Sequence, residues 1–230
     1  MSGKTSFGLD AIETVPLHEI VFNRITRALM SGQIQQGVKL TSRKLAKELG
    51  TSDMPVRSAL TRLQALRALE QLPNGSMIVP AMTKDRFSDL MSTRVLVETR
   101  AAELAADRMS KQALRALRVA SHNLTQAAMD HDIDAYLAQN YEFKFQIYKI
   151  CGSDSLLFLI ETLWLQVGPF LRQFGEQFDG KLSGILALDF HAEIVDALEA
   201  GDGKVAADLI RRDISAGAQH LLKEASFSDA

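Results

Sequence analysis

Cysteine is almost missing from this sequence, and its scarcity limits how the protein can be held together. A single residue, Cys151, occurs among 230, so a disulfide framework within the chain is excluded and a reducing cytosol is the expected environment. No uninterrupted apolar run reaches the roughly 18 residues of a membrane-spanning helix, and the first residues lack the pattern of a secretory signal peptide. These absences predict a cytoplasmic protein with no membrane partner.

Neither sign of charge is in large excess, but the two signs are unevenly distributed. The formal net charge is −2, yet residues 1–80 carry 10 Lys and Arg against 6 Asp and Glu, while residues 81–230 carry 16 against 22. A basic head on a larger acidic body is typical of a DNA-binding unit joined to a body that avoids DNA. Chance scatter of surface charge explains the same counts, so the asymmetry needs support from motifs.

The first 80 residues divide into an unpatterned arm and a small helical module. Residues 1–15 lack periodicity and are predicted to form a flexible arm. Over residues 16–80, apolar spacing predicts three short helices, with Gly50 in the tight turn between the second and the third. A Pro-Asn-Gly turn at residues 73–75, between two short extended runs, predicts a β-hairpin. Three helices followed by a hairpin form a winged helix-turn-helix.

Residues 81–230 contain no segment with the alternating pattern of a β-strand. Their apolar spacing predicts six helices, at about residues 83–109, 111–129, 132–151, 154–175, 181–200 and 203–225. The residues predicted to cap helix N-termini are Asp132, Ser153 and Asp202. Helices of this length predict an all-α antiparallel bundle whose core includes Trp164, Phe158, Phe170 and Phe174. The fold class is therefore mainly α, with a winged helix-turn-helix before the bundle.

The third helix of the N-terminal module is the predicted recognition helix, because this motif inserts that helix into the major groove of DNA. Its candidate contacts lie at the exposed start and outer face: Ser52, Asp53, Met54, Arg57 and Thr61. Arg57 suits a guanine edge or a phosphate. Further backbone contacts are expected from Arg43 and Lys44 and from the wing tip at Asn74 and Gly75. In the alternative interpretation, the three helices are only a stable small fold and Arg57 is a solvated charge.

The same module resembles the GntR family of bacterial transcription regulators. The resemblance covers about residues 16–80 and rests on Gly32, Gly37 and Leu40, on Leu45-Ala46 and Leu49-Gly50, and above all on the run from Ser52 to Leu63. The family's usual form of that run is SRxPVREALxxLxxxGL. The resemblance implies that Arg57 contacts DNA.

Three positions depart from the family pattern. The family's first arginine in the run is Asp53 here, a family glutamate is Ser42, and the glycine before the wing is Ala68. An acidic residue that faces phosphates should weaken binding or change the base preference. These departures bear on the operator sequence and not on the fold.

Residues 83–225 resemble the FCD domain, the all-helical ligand-binding domain of the FadR-like branch of this family. The resemblance rests on Arg94–Ala106, Asn140–Ile147, His191–Asp202 and Ala206–Ile214. In many members an aspartate and three histidines hold a divalent metal such as zinc, which in turn holds an organic acid. The corresponding positions here are Asn140, Lys144, His191 and Asp213. Only His191 is unchanged, and the Lys144 ammonium has no lone pair to donate, so no tightly bound metal cofactor is expected.

Two interpretations of this cluster are open. In the first, Lys144 and Arg94 form a cationic pocket that binds an anionic metabolite, such as a small organic acid or sugar acid. In the second, Lys144 pairs with Asp213 in a structural salt bridge, because a buried lysine is costly without a partner, and the pocket is vestigial or apolar. Asn140 shares a helix face with Lys144, and His191 would complete a hydrogen-bonded cluster. A residual metal site on His191, Asp213 and water is the less favoured third interpretation.

The favoured hypothesis is a transcription regulator, a repressor, that binds double-stranded operator DNA as a homodimer and responds to the metabolite. The alternative is a dimeric DNA-binding regulator whose bundle takes no ligand. An all-helical enzyme is disfavoured, since the sequence shows no nucleophile–base pair, no paired-histidine metal motif and no phosphate-binding loop.

Overall fold

The computed structural model describes residues 16–176, 178 and 181–229. The arm predicted over residues 1–15 lies outside this range. Within it the chain forms a small N-terminal head and a larger helical body, as the pattern of apolar residues predicts.

Three helices form the head: α1 (Leu17–Met30), α2 (Ser42–Leu49) and α3 (Asp53–Ala65). α2 begins where the Thr41 hydroxyl oxygen accepts the Lys44 backbone N–H at 3.3 Å. It ends at Gly50, whose φ of 65° lies in the left-handed region that favours glycine. α3 buries Val56, Leu60 and Leu63 against α1 and α2. This tight turn between α2 and α3 leaves the first turn and outer face of α3 exposed.

The wing contains the predicted hairpin and one further strand, which together form a three-stranded sheet. Its strands are β1 (Lys39–Leu40), β2 (Glu70–Gln71) and β3 (Met77–Ile78), in the order β1-β3-β2. Both pairs are antiparallel, and Met77 lies opposite Leu40 on one side and Gln71 on the other. β1 was not predicted, because a strand of two residues shows no alternation of apolar and polar residues and its partner strand lies far along the chain.

Within the described residues, the body contains six further α-helices: α4 (Lys84–Ala106), α5 (Lys111–Met129), α6 (Ile133–Ile150), α7 (Asp154–Leu171), α8 (His191–Glu199) and α9 (Gly203–Glu224). The three predicted caps are confirmed, since the side chains of Asp132, Ser153 and Asp202 accept the N–H of the residue three positions later. No strand occurs after residue 83 in the described part of the chain.

Two predicted helices have different ends in the structure. The α-helical part of the segment predicted over 154–175 stops at Leu171, and a 3₁₀ segment, Arg172–Glu176, continues it. The segment predicted over 181–200 is a 3₁₀ turn, Leu182–Ala187, followed by α8. The break has a local cause: the Asp189 carboxylate accepts the His191 backbone N–H at 2.8 Å and starts α8 anew.

The core of the body includes most of the predicted aromatic residues. Trp164, Phe170 and Phe174 are buried, whereas Phe158 is 57% exposed and its predicted burial is wrong. Phe158 lies on α7. The stretch Asp154–Gly175, which consists of α7 and most of the 3₁₀ segment after it, is long and apolar enough, by length and composition alone, to cross a membrane. The opposite side of α7 is buried in the bundle, as in the core helix of a soluble protein.

The head is packed directly against the body where α1 crosses α7. A Cβ added at Gly168 of α7 would lie 2.6 Å from the Leu29 carbonyl oxygen and 2.7 Å from that of Met30. Glycine is therefore required at this crossing, because any side chain would push the two helices apart. Arg27 of α1 also pairs with Glu142 of α6. Two body helices thus hold the head in place.

Candidate DNA-binding surface and effector cavity

The start and outer face of α3 project from the head. Ser52, Met54, Arg57 and Thr61 are exposed, Met54 to 76%, and Asp53 is half-buried. An exposed methionine at the tip of a helix is suited to apolar contact with a thymine methyl group. The candidate residues of α3 therefore share one free surface.

A groove of about 400 Å³ separates α3 from the wing. It is lined by Arg57 and Thr61 of α3, by Asn74 and Gly75 of the wing tip, and by Ser42 of α2. The tip is fixed by Asn74, whose Oδ1 accepts the Ser76 backbone N–H at 3.1 Å and its hydroxyl at 2.6 Å. The structure thus brings together contacts that the sequence analysis assigned separately to the recognition helix and to the wing.

Asp53 and Arg57 form an ion pair on the first turn of α3. Arg57 Nε donates to Asp53 Oδ2 at 2.5 Å, with side-chain exposures of 67% for Arg57 and 38% for Asp53. The Ser42 hydroxyl and then the Arg57 guanidinium lower the pKa of the Asp53 carboxyl. Asp53 therefore stays ionised at neutral pH and partly neutralises Arg57.

Some basic residues of the head are free to meet DNA, whereas Arg62 is bound within the head. Arg43 and Lys44 are exposed in the first turn of α2, where they can reach a phosphate. Arg62 is differently placed: it donates to Glu19 of α1 at 3.1 Å, and its guanidinium lies 3.8 Å from the centre of the Phe22 ring. Arg62 thus ties α3 to α1.

A cavity of about 60 Å³ lies in the centre of the body. All five predicted effector residues line it: Arg94, Asn140, Lys144, His191 and Asp213. Pockets for drug-sized ligands typically have volumes of about 300–1,000 Å³. In this conformation the space suits a few water molecules or a ligand of a few heavy atoms.

Lys144 and Asp213 are in direct contact in the wall of this cavity. Lys144 is 1% exposed, and its Nζ donates to Asp213 Oδ2 at 2.6 Å. Burial would raise the pKa of Asp213, but the charges of Lys144 and His191 outweigh burial and hold that pKa below its ordinary value. The salt bridge of the second sequence-based interpretation is therefore present in the structure.

His191 is placed between three acceptors at the start of α8. Its Nδ1 lies 2.6 Å from Asp189 Oδ1 without the alignment of a hydrogen bond. Its Nε2 lies 3.3 Å from Asn140 Oδ1 and 3.9 Å from Asp213 Oδ1. The expected cluster around His191 exists, and Asp189 is a member that the sequence analysis missed.

Arg94 is engaged by residues behind the cavity wall. Its Nε donates to Glu98 Oε1 at 2.6 Å, and its guanidinium lies 4.5 Å from the centre of the Trp164 ring. Glu98, which is 0% exposed, also accepts from the hydroxyl of Tyr148 and from Trp164 Nε1. Each cation of the predicted cationic pocket thus has a carboxylate partner, and the wall carries no uncompensated positive charge from Arg94 or Lys144.

The donors at this site do not fit a divalent metal. The Lys144 ammonium occupies one of the four positions where the resemblance to the FCD domain implies a metal ligand, and it already binds the Asp213 oxygen that would be needed as another. Among the described residues, no three His, Cys, Asp or Glu side chains are grouped so that they could hold a metal ion.

Two polar residues of the cavity, Tyr136 and Asp189, were not predicted, although one of them carries a usable signal in the sequence. Tyr136 precedes Asn140 and Lys144 by four and eight positions on α6, so helical spacing alone places it on the same face. Burial, together with the charges of Asp189 and Asp213, raises the pKa of Tyr136 well above its ordinary value. Asp189 has no such signal, because it lies in a connection whose path depends on the packed bundle.

Comparison with known proteins separates the same two parts. The family model for bacterial regulatory proteins of the gntR family matches residues 17–79, and the model for the FCD domain matches residues 89–216. The two matches correspond to the head and the body.

Individual relatives extend over most of the chain. It is 31% identical over 169 residues to the HTH-type transcriptional regulator McbR of Escherichia coli strain K12, covering 74% of this chain and 76% of McbR. It is 27% identical over 192 residues to the probable D-xylose utilization operon transcriptional repressor of Paenarthrobacter nicotinovorans, covering 84% and 83% of the two chains. The solved structure of E. coli McbR/YncC superposes with a TM-score of 0.85 at 26% identity, covering 93% of this chain and all of that one.

Proposed function

The chain belongs to the gntR family of bacterial transcription regulators that carry an FCD domain, and on this basis we propose that it is a cytoplasmic repressor whose operator binding responds to a small ligand in the body. The transcription regulator McbR and the repressor of P. nicotinovorans, both similar to this chain over most of its length, support the regulatory role. The family and the relatives are transcription regulators and not enzymes.

The observation that carries DNA binding is the groove between α3 and the wing. It gathers Arg57, Thr61 and Asn74 beside the exposed start of α3, and Arg43 and Lys44 lie nearby on α2. A winged helix of this form inserts its recognition helix into the major groove while the wing meets the backbone.

Replacing Arg57 with Ala tests this assignment. Because Arg57 is exposed and bonds only within its own helix turn in the described residues, the variant should fold normally. We expect its affinity to fall at least about tenfold, measured by fluorescence anisotropy on a DNA duplex that the wild-type protein has selected from a random library. Arg211→Ala, on an exposed turn of α9, is the control, and unchanged affinity of the Arg57 variant would refute the assignment.

The repressor is proposed to act as a homodimer. Two related half-sites on DNA require two heads with a fixed spacing, and the body has exposed apolar side chains on neighbouring helices, Leu96 on α4 and both Phe158 and Leu159 on α7. Large apolar side chains grouped on adjacent helices are typical of a protein interface.

The proposed effector is a small carboxylate, and no resident metal takes part. The cavity volume of about 60 Å³ limits the ligand to a few heavy atoms. A ligand carboxylate would accept a second N–H of the Lys144 ammonium beside Asp213, with hydrogen bonds available from Asn140 and Tyr136. Because the ammonium has three N–H donors, Asp213 keeps its partner and no carboxylate is left buried and unpaired.

The proposed route from the cavity to the head is short. Leu137 of α6 lines the cavity and also contacts the head, because a Cβ at Gly32 would lie 2.9 Å from Leu137 Cδ1. Glu142, on another face of α6, pairs with Arg27. A ligand that shifts α6 would therefore change how the head is held, and with it the spacing of two heads in a dimer.

A thermal-shift series with formate, acetate, lactate and larger organic and sugar acids tests the effector proposal. We expect a small acid to raise the melting temperature of the wild type and to have less effect on Lys144→Met.

Metal analysis of the purified protein should find well under one zinc per chain. Stoichiometric zinc would contradict the proposed site.

The alternative is a regulator whose body takes no ligand, and the Lys144–Asp213 salt bridge favours it. It predicts that no acid in the series changes the melting temperature, while DNA binding and its loss in Arg57→Ala are as described above. The two proposals therefore differ in the ligand screen alone.

A further inference from the structure

We propose that Asp53 is a specificity-determining residue that holds Arg57 in the orientation needed to read one guanine, while its charge weakens binding to DNA of other sequence. The inference rests on the proposed DNA-binding function of the head. It concerns the acidic residue that stands where the family commonly has an arginine.

The geometry of the pair leaves the reading edge of the guanidinium free. Asp53 Oδ2 accepts from Nε of Arg57 at 2.5 Å. Guanine is read in the major groove by a bidentate contact to its O6 and N7 atoms, which the two terminal nitrogens of an arginine can make. Among residues 16–176, 178 and 181–229, neither terminal nitrogen of Arg57 has a hydrogen-bond partner, and the side chain is 67% exposed.

Asp53 is ionised and lies where its charge is favoured. It is the first residue of α3, so its carboxylate lies at the positive end of the helix. The Ser42 hydroxyl and the nearby charges of Arg57 and Arg43 lower its pKa. Its hydrogen bond to Nε restricts the long Arg57 side chain, which otherwise samples many rotamers, and such preorganisation reduces the entropy lost on binding.

The same carboxylate opposes binding that depends only on charge. The attraction between basic residues and phosphates supplies nearly all of non-specific affinity, and a negative charge at the tip of the recognition helix reduces it. The proposal therefore predicts opposite effects of Asp53 on specific and non-specific DNA. A residue that only stabilises the helix, or only repels phosphates, does not have this pair of effects.

The test begins with selection of a preferred duplex from a random library by the full-length wild-type protein. Dissociation constants are then measured by anisotropy for that duplex, for each single base-pair change, and for an unrelated duplex. For Asp53→Ala we expect about two- to fivefold tighter binding to the unrelated duplex. At one G·C pair, the preference should fall by about 5- to 100-fold.

Arg57→Lys keeps the charge without the planar fork and should lose the preference at the same base pair. The double variant Asp53→Ala with Arg57→Lys should lose no more of the preference at this base pair than Arg57→Lys alone. Glu48→Ala removes an equally negative, exposed side chain of the head that makes no ion pair with Arg57 in the described residues, and it should leave the preference unchanged. Asp53→Ser, whose shorter side chain suits a helix start but does not reach Nε of Arg57, replaces Asp53→Ala if the latter unfolds.

The possible outcomes distinguish failure of the role given to Asp53 from failure of the proposed DNA-binding function. If the wild type selects no preferred duplex, the proposed function fails and this inference fails with it. If a duplex is selected and Asp53→Ala strengthens binding to every sequence alike, or leaves all base preferences unchanged, then the function stands and the role given to Asp53 is wrong.

Discussion

The buried cations of the body, Arg94 and Lys144, each pair with a carboxylate. Removing one partner of such a pair lowers the stability of the fold because the other partner is left unpaired. Lys144 is buried against Asp213, and Glu98 is buried among three donors. An unpaired charge at such a position loses its hydration without compensation, which costs several kcal/mol. The pairs make burial tolerable, and a change to one partner acts through the other.

Replacing Lys144 with Met should lower the free energy of unfolding by about 3–5 kcal/mol, because Asp213 is left as a buried, unpaired carboxylate. The double variant Lys144→Met with Asp213→Leu should recover a large part of this loss, since no charge is then buried. Urea denaturation at neutral pH measures both effects.

The exposed pair Arg211–Asp208, with side chains 52% and 51% exposed, provides the control. Arg211→Met should cost no more than about 1 kcal/mol, because solvent screens the pair. If Lys144→Met costs no more than Arg211→Met, the structural importance of the Lys144–Asp213 bridge is refuted.

The lowered pKa of Asp213 gives the bridge a defined pH range. A carboxyl group with a lower pKa in the folded state stabilises the protein above its unfolded-state pKa, and this contribution is lost as the pH falls through the folded-state pKa. The ordinary value is 3.8. The stability difference between wild type and Asp213→Asn should therefore be constant from pH 7 to about 5 and shrink below pH 4. A difference that does not shrink on acidification would contradict ionisation of Asp213 in the fold.

At the scale of the elements, the crossing of α1 and α7 joins the head to the body. The crossing is close because Gly168 has no side chain, and the Leu29 and Met30 carbonyl oxygens occupy the space that a Cβ would need. These contacts involve backbone atoms, which cannot rotate away as a flexible side chain can.

Replacing Gly168 with Ala should separate the two helices and lower the free energy of unfolding by about 1–3 kcal/mol, despite the better helix propensity of alanine. Gly217→Ala in α9 is the matched control, since its Cβ would meet only the tip of the Phe174 ring, at 3.3 Å. Thermal denaturation compares the two variants. Equal melting temperatures would show that the α1–α7 contact can be loosened without cost.

The differences between predicted and observed elements also have local causes. The sequence predicted the helices of the body because apolar spacing and capping side chains act within a few residues. It did not predict the interruption between residues 187 and 191, which depends on Asp189 turning back to the start of α8. It also missed β1, whose two residues become a strand only when β3 lies beside them.

At the scale of the whole molecule, α4 and α7 both expose large apolar side chains that a second copy of the chain could bury. Leu96 is 72% exposed and Phe158 57%, on two helices that pack against each other. Burying such residues in a second copy would stabilise a dimer by the apolar area removed from water.

The double variant Leu96→Asp with Phe158→Asp should therefore be monomeric in light scattering at concentrations where the wild type is dimeric, and it should bind a two-half-site operator at least about tenfold more weakly. Val119→Asp on α5 changes a side chain that is 60% exposed and should have neither effect. A double variant that remains dimeric would exclude this face as the interface.

The order of the two parts and most of the helices within them were determined by the sequence alone, because helix periodicity, caps and turn residues act over short distances. The candidate effector residues came from the resemblance to the FCD domain. Two close pairings were also within reach of the sequence: Asp53 with Arg57 and Arg94 with Glu98 are each four residues apart on one helix. Only the tertiary structure decided that Lys144 meets Asp213, 69 residues away. It alone decided that the cavity beside this pair is small and that Gly168 contacts the head, since these facts depend on how distant helices pack.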